Sequence, residues 1–165
     1  MPRANANAGP VLGHALQAPP PTLEYVSKFS IIVKTAGGVI ATTAALLTAL
    51  RENPQIGQSV DSAIGKLKEA TNSENPKLRF DAKLGAIDAA ANAVEETFPH
   101  ATEPDGWRRQ AKALRMRGEL AWTANSGKAR RKAMKALNAE TTEVLASVNT
   151  RLVELQAEGP DAITN

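Results

Sequence analysis

Residues 76–98 read PKLRFDAKLGAIDAAANAVEETF. Apolar residues recur in this stretch at alternating intervals of four and three, which places them on one face of an α-helix. The residues of this face are Phe80, Leu84, Ile87, Ala91, Val94 and Phe98. Pro76 follows Asn75 directly, the order expected of an N-cap followed by proline at the first helical position. The stretch therefore predicts a helix over 76–98 that buries one narrow face.

The same helical periodicity recurs on both sides of this stretch. It predicts four more helices, over 22–52, 54–71, 105–125 and 128–157. No segment alternates with the period of two that a half-buried strand requires. The apolar faces are narrow, as they are in long helices that pack side by side. The predicted face of helix 105–125 holds Trp107, Leu114, Leu120, Ala121 and Trp122. The predicted face of helix 128–157 holds Ala133, Leu137, Val144, Val148, Leu152 and Leu155. The sequence therefore predicts an all-α fold, an elongated bundle of about five helices that includes a long C-terminal helical hairpin.

The two ends of the chain differ in composition from this helical region. Residues 1–21 end in three consecutive prolines and hold only scattered apolar residues, which is typical of a disordered N-terminal arm. A Gly-Pro pair ends the last predicted helix, so residues 158–165 are predicted to form a flexible tail. The whole sequence has 165 residues, enough for one compact domain and too few for two ordinary ones. We expect a single helical domain over 22–157.

Composition and motifs exclude several kinds of active site. The sequence contains no cysteine, which excludes disulfides and thiolate chemistry within this chain. Its two histidines, His14 and His100, lie 86 positions apart, a spacing that does not indicate a metal site. The sequence has no phosphate-binding glycine loop, nucleophile elbow or Glu-x-x-His metal motif. We therefore expect no catalytic residue, no metal, no cofactor and no small-molecule substrate, and predict that the protein is not an enzyme.

Charge is the most informative feature of the sequence. The whole chain has a net charge of +3, yet residues 108–135 hold ten basic side chains and a single acidic one, Glu119. The basic residues are Arg108, Arg109, Lys112, Arg115, Arg117, Lys128, Arg130, Arg131, Lys132 and Lys135. We expect them to share the tip half of an antiparallel hairpin formed by the last two helices. Several fall in the first turns of the last helix, where the helix dipole disfavours cations and favours a bound anion.

This charge pattern predicts that the 108–135 hairpin docks on an anionic partner. Guanidinium groups bind phosphate in a bidentate manner, which favours nucleic acid or a nucleoprotein assembly and contacts to the backbone rather than to bases. Anionic lipid is the second candidate. The alternative is that the cations form a solvated face or pair with carboxylates of the same chain, for which Asp88, Glu95 and Glu96 are available.

Residues 29–50 leave two further alternatives open. The stretch has the 22 residues of a membrane span and nine Phe, Ile, Val or Leu residues, although Lys34 and five Ser or Thr residues oppose insertion. A membrane-associated adaptor would place this helix in or on the bilayer and the basic hairpin on anionic lipid. The same helix carries a row of small residues at every fourth position, which would allow close helix packing in a homo-oligomer. This row is Gly37, Ala41, Ala45 and Ala49. We expect a cytoplasmic protein, associated with the membrane if the adaptor alternative holds.

Overall fold

The computed structural model describes residues 36–50 and 54–158, which form five α-helices and contain no strand. The helices are α1 Ala36–Ala49, α2 Pro54–Thr71, α3 Pro76–Thr97, α4 Glu103–Ala124 and α5 Gly127–Glu158. The prediction of an all-α bundle of five helices is confirmed, and the limits of α2 to α5 agree with the predicted ones to within two residues. The predicted arm, the predicted tail beyond Glu158 and the first part of the predicted helix 22–52 lie outside the described residues.

Helix α3 lies at the centre of the bundle and contacts all four other helices. Every residue of its predicted apolar face is buried. Alanines on its other sides are buried as well, among them Ala82, Ala86 and Ala90. The distance between packed helices depends on the side chains at the contact, so small residues on several sides allow several neighbours to approach. The buried surface of α3 is therefore wider than the single narrow face that the spacing predicted.

The N-terminus of α3 is capped as the sequence predicted. The side-chain oxygen of Asn75 accepts hydrogen bonds from the backbone N–H groups of Lys77 at 2.9 Å and Leu78 at 3.4 Å. Pro76 occupies the first turn, where its missing N–H would have had no partner within the helix. These contacts hold the first turn of α3 in place beside α5.

Helix α5 has 32 residues and packs against α1, α3 and α4. Its buried residues are Met134, Leu137, Thr141, Leu145, Val148, Asn149, Leu152 and Leu155. Ala133 and Val144, which the sequence predicted as core residues, are only partly buried, because the buried face is centred on Met134 and Leu145 instead. The buried Asn149 anchors α1 on α5: its amide donates to the backbone oxygen of Val39 at 3.1 Å.

Helix α1 is a packed helix of the bundle. Val39, Leu46 and Leu47 are buried where it contacts α2, α3 and α5. Among the helices of residues 36–50 and 54–158, none has both the length and the hydropathy that crossing a bilayer requires. The predicted row of small residues does not face the bundle interior, since Ala41, Ala45 and Ala49 are exposed. These three alanines are therefore not a packing surface inside the bundle, and self-association through them stays a prediction.

Helix α4 differs from the prediction at one core position. Trp107 and Leu114 are buried as predicted, and Ala121 and Trp122 are partly buried, but Leu120 is 66% exposed. The buried side of α4 continues from Leu114 to Gly118. Leu120 follows Gly118 by two positions, roughly 200° around an α-helix, and so faces solvent beside Met116.

Candidate anion-binding site

Ion pairs define the relative directions of α3, α4 and α5. Arg151, near the end of α5, donates to Glu103 at the start of α4 at 2.7 Å, so these two helices form the predicted antiparallel hairpin. Lys77 at the start of α3 pairs at 2.5 Å with Glu119 near the end of α4, so this pair is also antiparallel. Helices α3 and α5 therefore run parallel to each other. Their N-termini, which carry partial positive charge, lie at the same end of the bundle.

Three arginines of the predicted basic set are already paired with carboxylates of the same chain. Arg115 donates to Asp88 of α3 at 2.8 Å, and Arg117 donates to Glu140 of α5 at 2.5 Å. Arg108 forms an ion pair with Glu95 of α3. The hydrogen bond and charge of Arg108 hold the pKa of the Glu95 carboxyl below its ordinary value. These arginines join neighbouring helices.

Arg130 has a different role. Its Nε donates to the backbone oxygen of Asn125 at 2.8 Å, and its guanidinium lies 4.8 Å from the centre of the Trp122 ring. Both contacts connect the first turns of α5 to the end of α4. A guanidinium over an indole face is attracted by the negative face of the ring. Arg130 therefore helps to close the hairpin turn.

The side chains of the other six cations have neither an ion pair nor a hydrogen bond within the described residues: Arg109, Lys112, Lys128, Arg131, Lys132 and Lys135. Those on α4 do not lie at the hairpin tip, contrary to expectation. Arg109 precedes the end of α4 by 15 residues, about 22 Å along the axis.

The remaining four cations lie together on α5. Lys128, Arg131, Lys132 and Lys135 are spaced by three, one and three positions, which places them on one side of the helix. All four are exposed, and we call them the α5 basic face. Lys128 lies in the first turn of α5, where the helix dipole adds positive potential, and the other three follow within the next two turns.

A cleft of about 390 Å³ opens between the N-terminal halves of α3 and α5. Its lining residues are Glu74, Pro76, Arg79, Lys83, Arg131, Lys135 and Asn138. Four of them are cations and one is a carboxylate. Arg131 and Lys135 belong to the α5 basic face, whereas Arg79 and Lys83 come from α3. Sequence reasoning missed these two because they lie outside the dense 108–135 segment, and nothing in the sequence indicates which helix packs beside them.

Lys83 forms part of the cleft wall and is 6% exposed. Its ammonium donates three hydrogen bonds, to the backbone oxygen of Asn138 at 3.0 Å, to Asn138 Oδ1 at 3.2 Å and to the Thr142 hydroxyl at 2.7 Å. All three acceptors are neutral. Burial, with a further contribution from the charge of Arg79, lowers the pKa of Lys83 to about 8. Lys83 therefore adds positive charge to the wall of the cleft.

Asn138 holds the two sides of the cleft together. Its side-chain amide donates to the backbone oxygen of Pro76 at 2.8 Å and to that of Met134 at 3.0 Å. The same side chain accepts from Lys83, so one residue of α5 binds both the first turn and the second turn of α3. The spacing of the cations across the cleft is thus maintained by partly buried hydrogen bonds.

Comparison with known proteins identified no relative of this chain. No protein-family model matches the chain, and no match was found among curated proteins or solved structures. Within the described part of the chain, no three His, Asp or Glu side chains are grouped so that they could hold a metal ion. Function is therefore inferred from the placement of charge on the bundle itself.

Proposed function

We propose that this protein is a non-enzymatic helical interaction protein that binds the phosphate backbone of a nucleic acid, free or within a nucleoprotein assembly, through the α5 basic face. The observation that carries the proposal is the grouping of Lys128, Arg131, Lys132 and Lys135, which have no carboxylate partner within the described residues. Neighbouring cations repel one another, and the dipole of α5 adds to that repulsion. A bound polyanion would offset both effects.

The two ends of α5 support this interpretation by their contrast. Glu154 and Glu158 near the C-terminus also oppose the helix dipole, but Arg151 donates to them at 3.1 and 3.0 Å. Unfavourable charge at this end is therefore compensated within the chain. Within residues 36–50 and 54–158, the four cations of the α5 basic face lack such compensation, which favours an external anion as their partner.

Nucleic acid fits the described residues better than a lipid surface does. Stable attachment to a membrane needs an apolar anchor in addition to basic residues. The large apolar residues of α1 that could serve as one, Val39, Leu46 and Leu47, are buried in the bundle. A short row of lysines and one arginine on a helix is suited to contacts with phosphates, so we expect binding with little sequence preference.

The proposal is tested by the salt dependence of binding. Four phosphate contacts predict that the logarithm of the association constant for duplex DNA falls with the logarithm of salt concentration with a slope of about −3 to −4. The Arg131→Gln/Lys132→Gln variant should bind more weakly, and the magnitude of its slope should be smaller by about 2. Fluorescence anisotropy with labelled duplex DNA and RNA, between about 50 and 200 mM salt, measures both quantities.

A matched control is the Arg108→Gln/Arg115→Gln variant. It removes the same number of positive charges from arginines that already pair with Glu95 and Asp88. Its slope should remain close to that of the wild type. An equal loss of affinity in both variants would show that binding depends on net charge and not on the α5 basic face. Absence of binding to DNA and RNA, or binding only to vesicles that contain anionic lipid, would overturn the proposal.

A further inference from the structure

The cleft between α3 and α5 is a second arrangement of charge, adjacent to the α5 basic face. Four cations and one carboxylate line a volume of about 390 Å³, which lies within the usual size range of small-molecule sites. A backbone phosphodiester carries one negative charge, whereas a phosphomonoester carries about 1.5 to 2 at neutral pH. The excess positive charge of the cleft therefore suits the monoester better.

The donors in the cleft suit a phosphate group. Arg131 and Lys135 lie one helical turn apart on α5, and neither side chain has a hydrogen bond within the described residues. Arg79 faces them from α3 and gives one N–H to the backbone oxygen of Glu74 at 3.4 Å, which leaves its other N–H groups for a ligand. Guanidinium groups bind phosphate through paired hydrogen bonds.

Lys83 contributes charge to the cleft without being a direct donor. Its ammonium already has three hydrogen-bond acceptors, all of them neutral. A buried positive charge with neutral partners is costly, and an anion nearby would reduce that cost. Burial lowers the pKa of Lys83 to about 8, so the group is still protonated at neutral pH.

We propose that this cleft binds a single phosphomonoester group, such as the 5′-terminal phosphate of a nucleic acid strand. The inference rests on the proposed function, because Arg131 and Lys135 belong to the cleft and to the α5 basic face. Arg79, Arg131 and Lys135 would donate to the phosphate oxygens. Glu74, the acidic residue among the lining side chains, would repel the phosphate oxygens.

The test compares three probes: a single-stranded oligonucleotide with a 5′-phosphate, the same oligonucleotide with a 5′-hydroxyl, and a nucleoside 5′-monophosphate. Wild-type protein should bind the phosphorylated oligonucleotide roughly tenfold more tightly than the hydroxyl form at equal salt. The Glu74→Gln variant should increase this ratio, because it removes the carboxylate from the lining. Isothermal titration calorimetry measures the dissociation constants of all three probes.

Two variants that each remove one positive charge separate the cleft from the face. Arg79→Gln changes the cleft only, and should abolish the preference for the 5′-phosphate while the hydroxyl oligonucleotide binds as before. Lys132→Gln changes the α5 basic face only. It should weaken binding of both oligonucleotides and leave the ratio of their dissociation constants unchanged. Circular dichroism and thermal unfolding of both variants check that the fold is intact.

The outcomes distinguish this inference from the proposed function. If both oligonucleotides bind wild type equally well, the phosphomonoester site is wrong and nucleic-acid binding stands. If the nucleoside monophosphate binds and neither oligonucleotide does, the cleft site stands, its source of phosphate is a free nucleotide, and the proposed function is wrong. If no probe binds, the cleft site is wrong, and the duplex titration decides the proposed function. The cleft site would also be overturned if Lys132→Gln, rather than Arg79→Gln, abolished the preference for the 5′-phosphate oligonucleotide.

Discussion

Lys83 combines deep burial with a positive charge that no carboxylate of the described chain balances. Burial and the charge of Arg79 lower its pKa from 10.5 to about 8. Between those pH values the unfolded chain holds a proton that the folded chain has released, so the free energy of unfolding rises with pH. Below pH 8 the lysine is protonated in both states, and its burial costs the folded protein about 3 kcal/mol.

The variant Lys83→Met removes this charge and keeps a side chain of similar length. We expect the wild type to gain about 3 kcal/mol in the free energy of unfolding relative to Lys83→Met between about pH 7 and pH 10.5. Urea unfolding at several pH values measures the difference. Lys66→Met makes the same change at an exposed lysine of α2 and is the control for the substitution itself. A constant difference for Lys83→Met would contradict the effect of burial on this lysine.

The contrast between Lys83 and its apolar neighbours on α3 shows what the sequence reveals about single residues. Phe80 and Leu84 are apolar and recur at helical spacing, so their burial was predictable from α3 alone. Lys83 is polar, and its burial depends on Asn138 and Thr142 of α5, which provide its acceptors. These acceptors lie 55 and 59 positions away in the sequence. Local periodicity holds no information about such a contact.

At the level of helices, the packing of α4 on α3 depends on Gly118. A Cβ atom at this position would overlap Cε1 of Phe80 and lie 2.7 Å from its Cζ. The Phe80 ring is 1% exposed and has little space to move. The absence of a side chain at Gly118 therefore allows α4 to approach α3 at the ring of Phe80.

We expect Gly118→Ala to lower the free energy of unfolding by about 1–3 kcal/mol, because the added methyl group must displace a buried ring or the helix itself. Gly65→Ala in α2 is the matched control, since no atom lies within 4 Å of the added Cβ. That change should stabilise the protein by about 0.5–1 kcal/mol through helix propensity alone. Urea unfolding measures both, and stabilisation by Gly118→Ala would contradict the close approach of the two helices.

Helix limits were predictable because their signals are local, and the buried side was predictable for α3, whereas in α4 the predicted buried side was wrong at Leu120. Asn75 and Pro76 mark the start of α3 without reference to any other part of the chain. Leu120 and Trp122 are both large and apolar, so residue type alone predicts that both are buried. Leu120 is nevertheless exposed. Gly118 decides the buried side of α4, and it carries no apolar signal. Trp107, Ala111 and Leu114 precede Gly118 at intervals of four, three and four, which places Leu120 off that side.

For the whole molecule, the sequence predicted where cations are dense but not which of them are neutralised. Arg115 and Lys112 are three positions apart on α4, yet only Arg115 has a carboxylate partner, Asp88, within the described residues. That difference depends on the packing of α4 on α3. Arg79 and Lys83 reach the basic end of the bundle through the parallel arrangement of α3 and α5. The candidate site thus depends on how the helices pack. The sequence indicated its cations on α5 but not those on α3.

The cations of the α5 basic face have no carboxylate partner in the described part of the chain, and their concentration at one end of the bundle links the stability of the whole molecule to the presence of a polyanion. A ligand that binds only the folded protein, at about 100 times its dissociation constant, adds roughly 2.7 kcal/mol to the free energy of unfolding. For a chain of this length that corresponds to a rise in Tm of roughly 5–10 °C. Thermal unfolding with a short duplex DNA should show this rise, and Arg131→Gln/Lys132→Gln should reduce it. An unchanged Tm with DNA, together with a rise caused by polyglutamate, would instead identify an acidic protein surface as the partner, because only carboxylates would then relieve the repulsion between these cations.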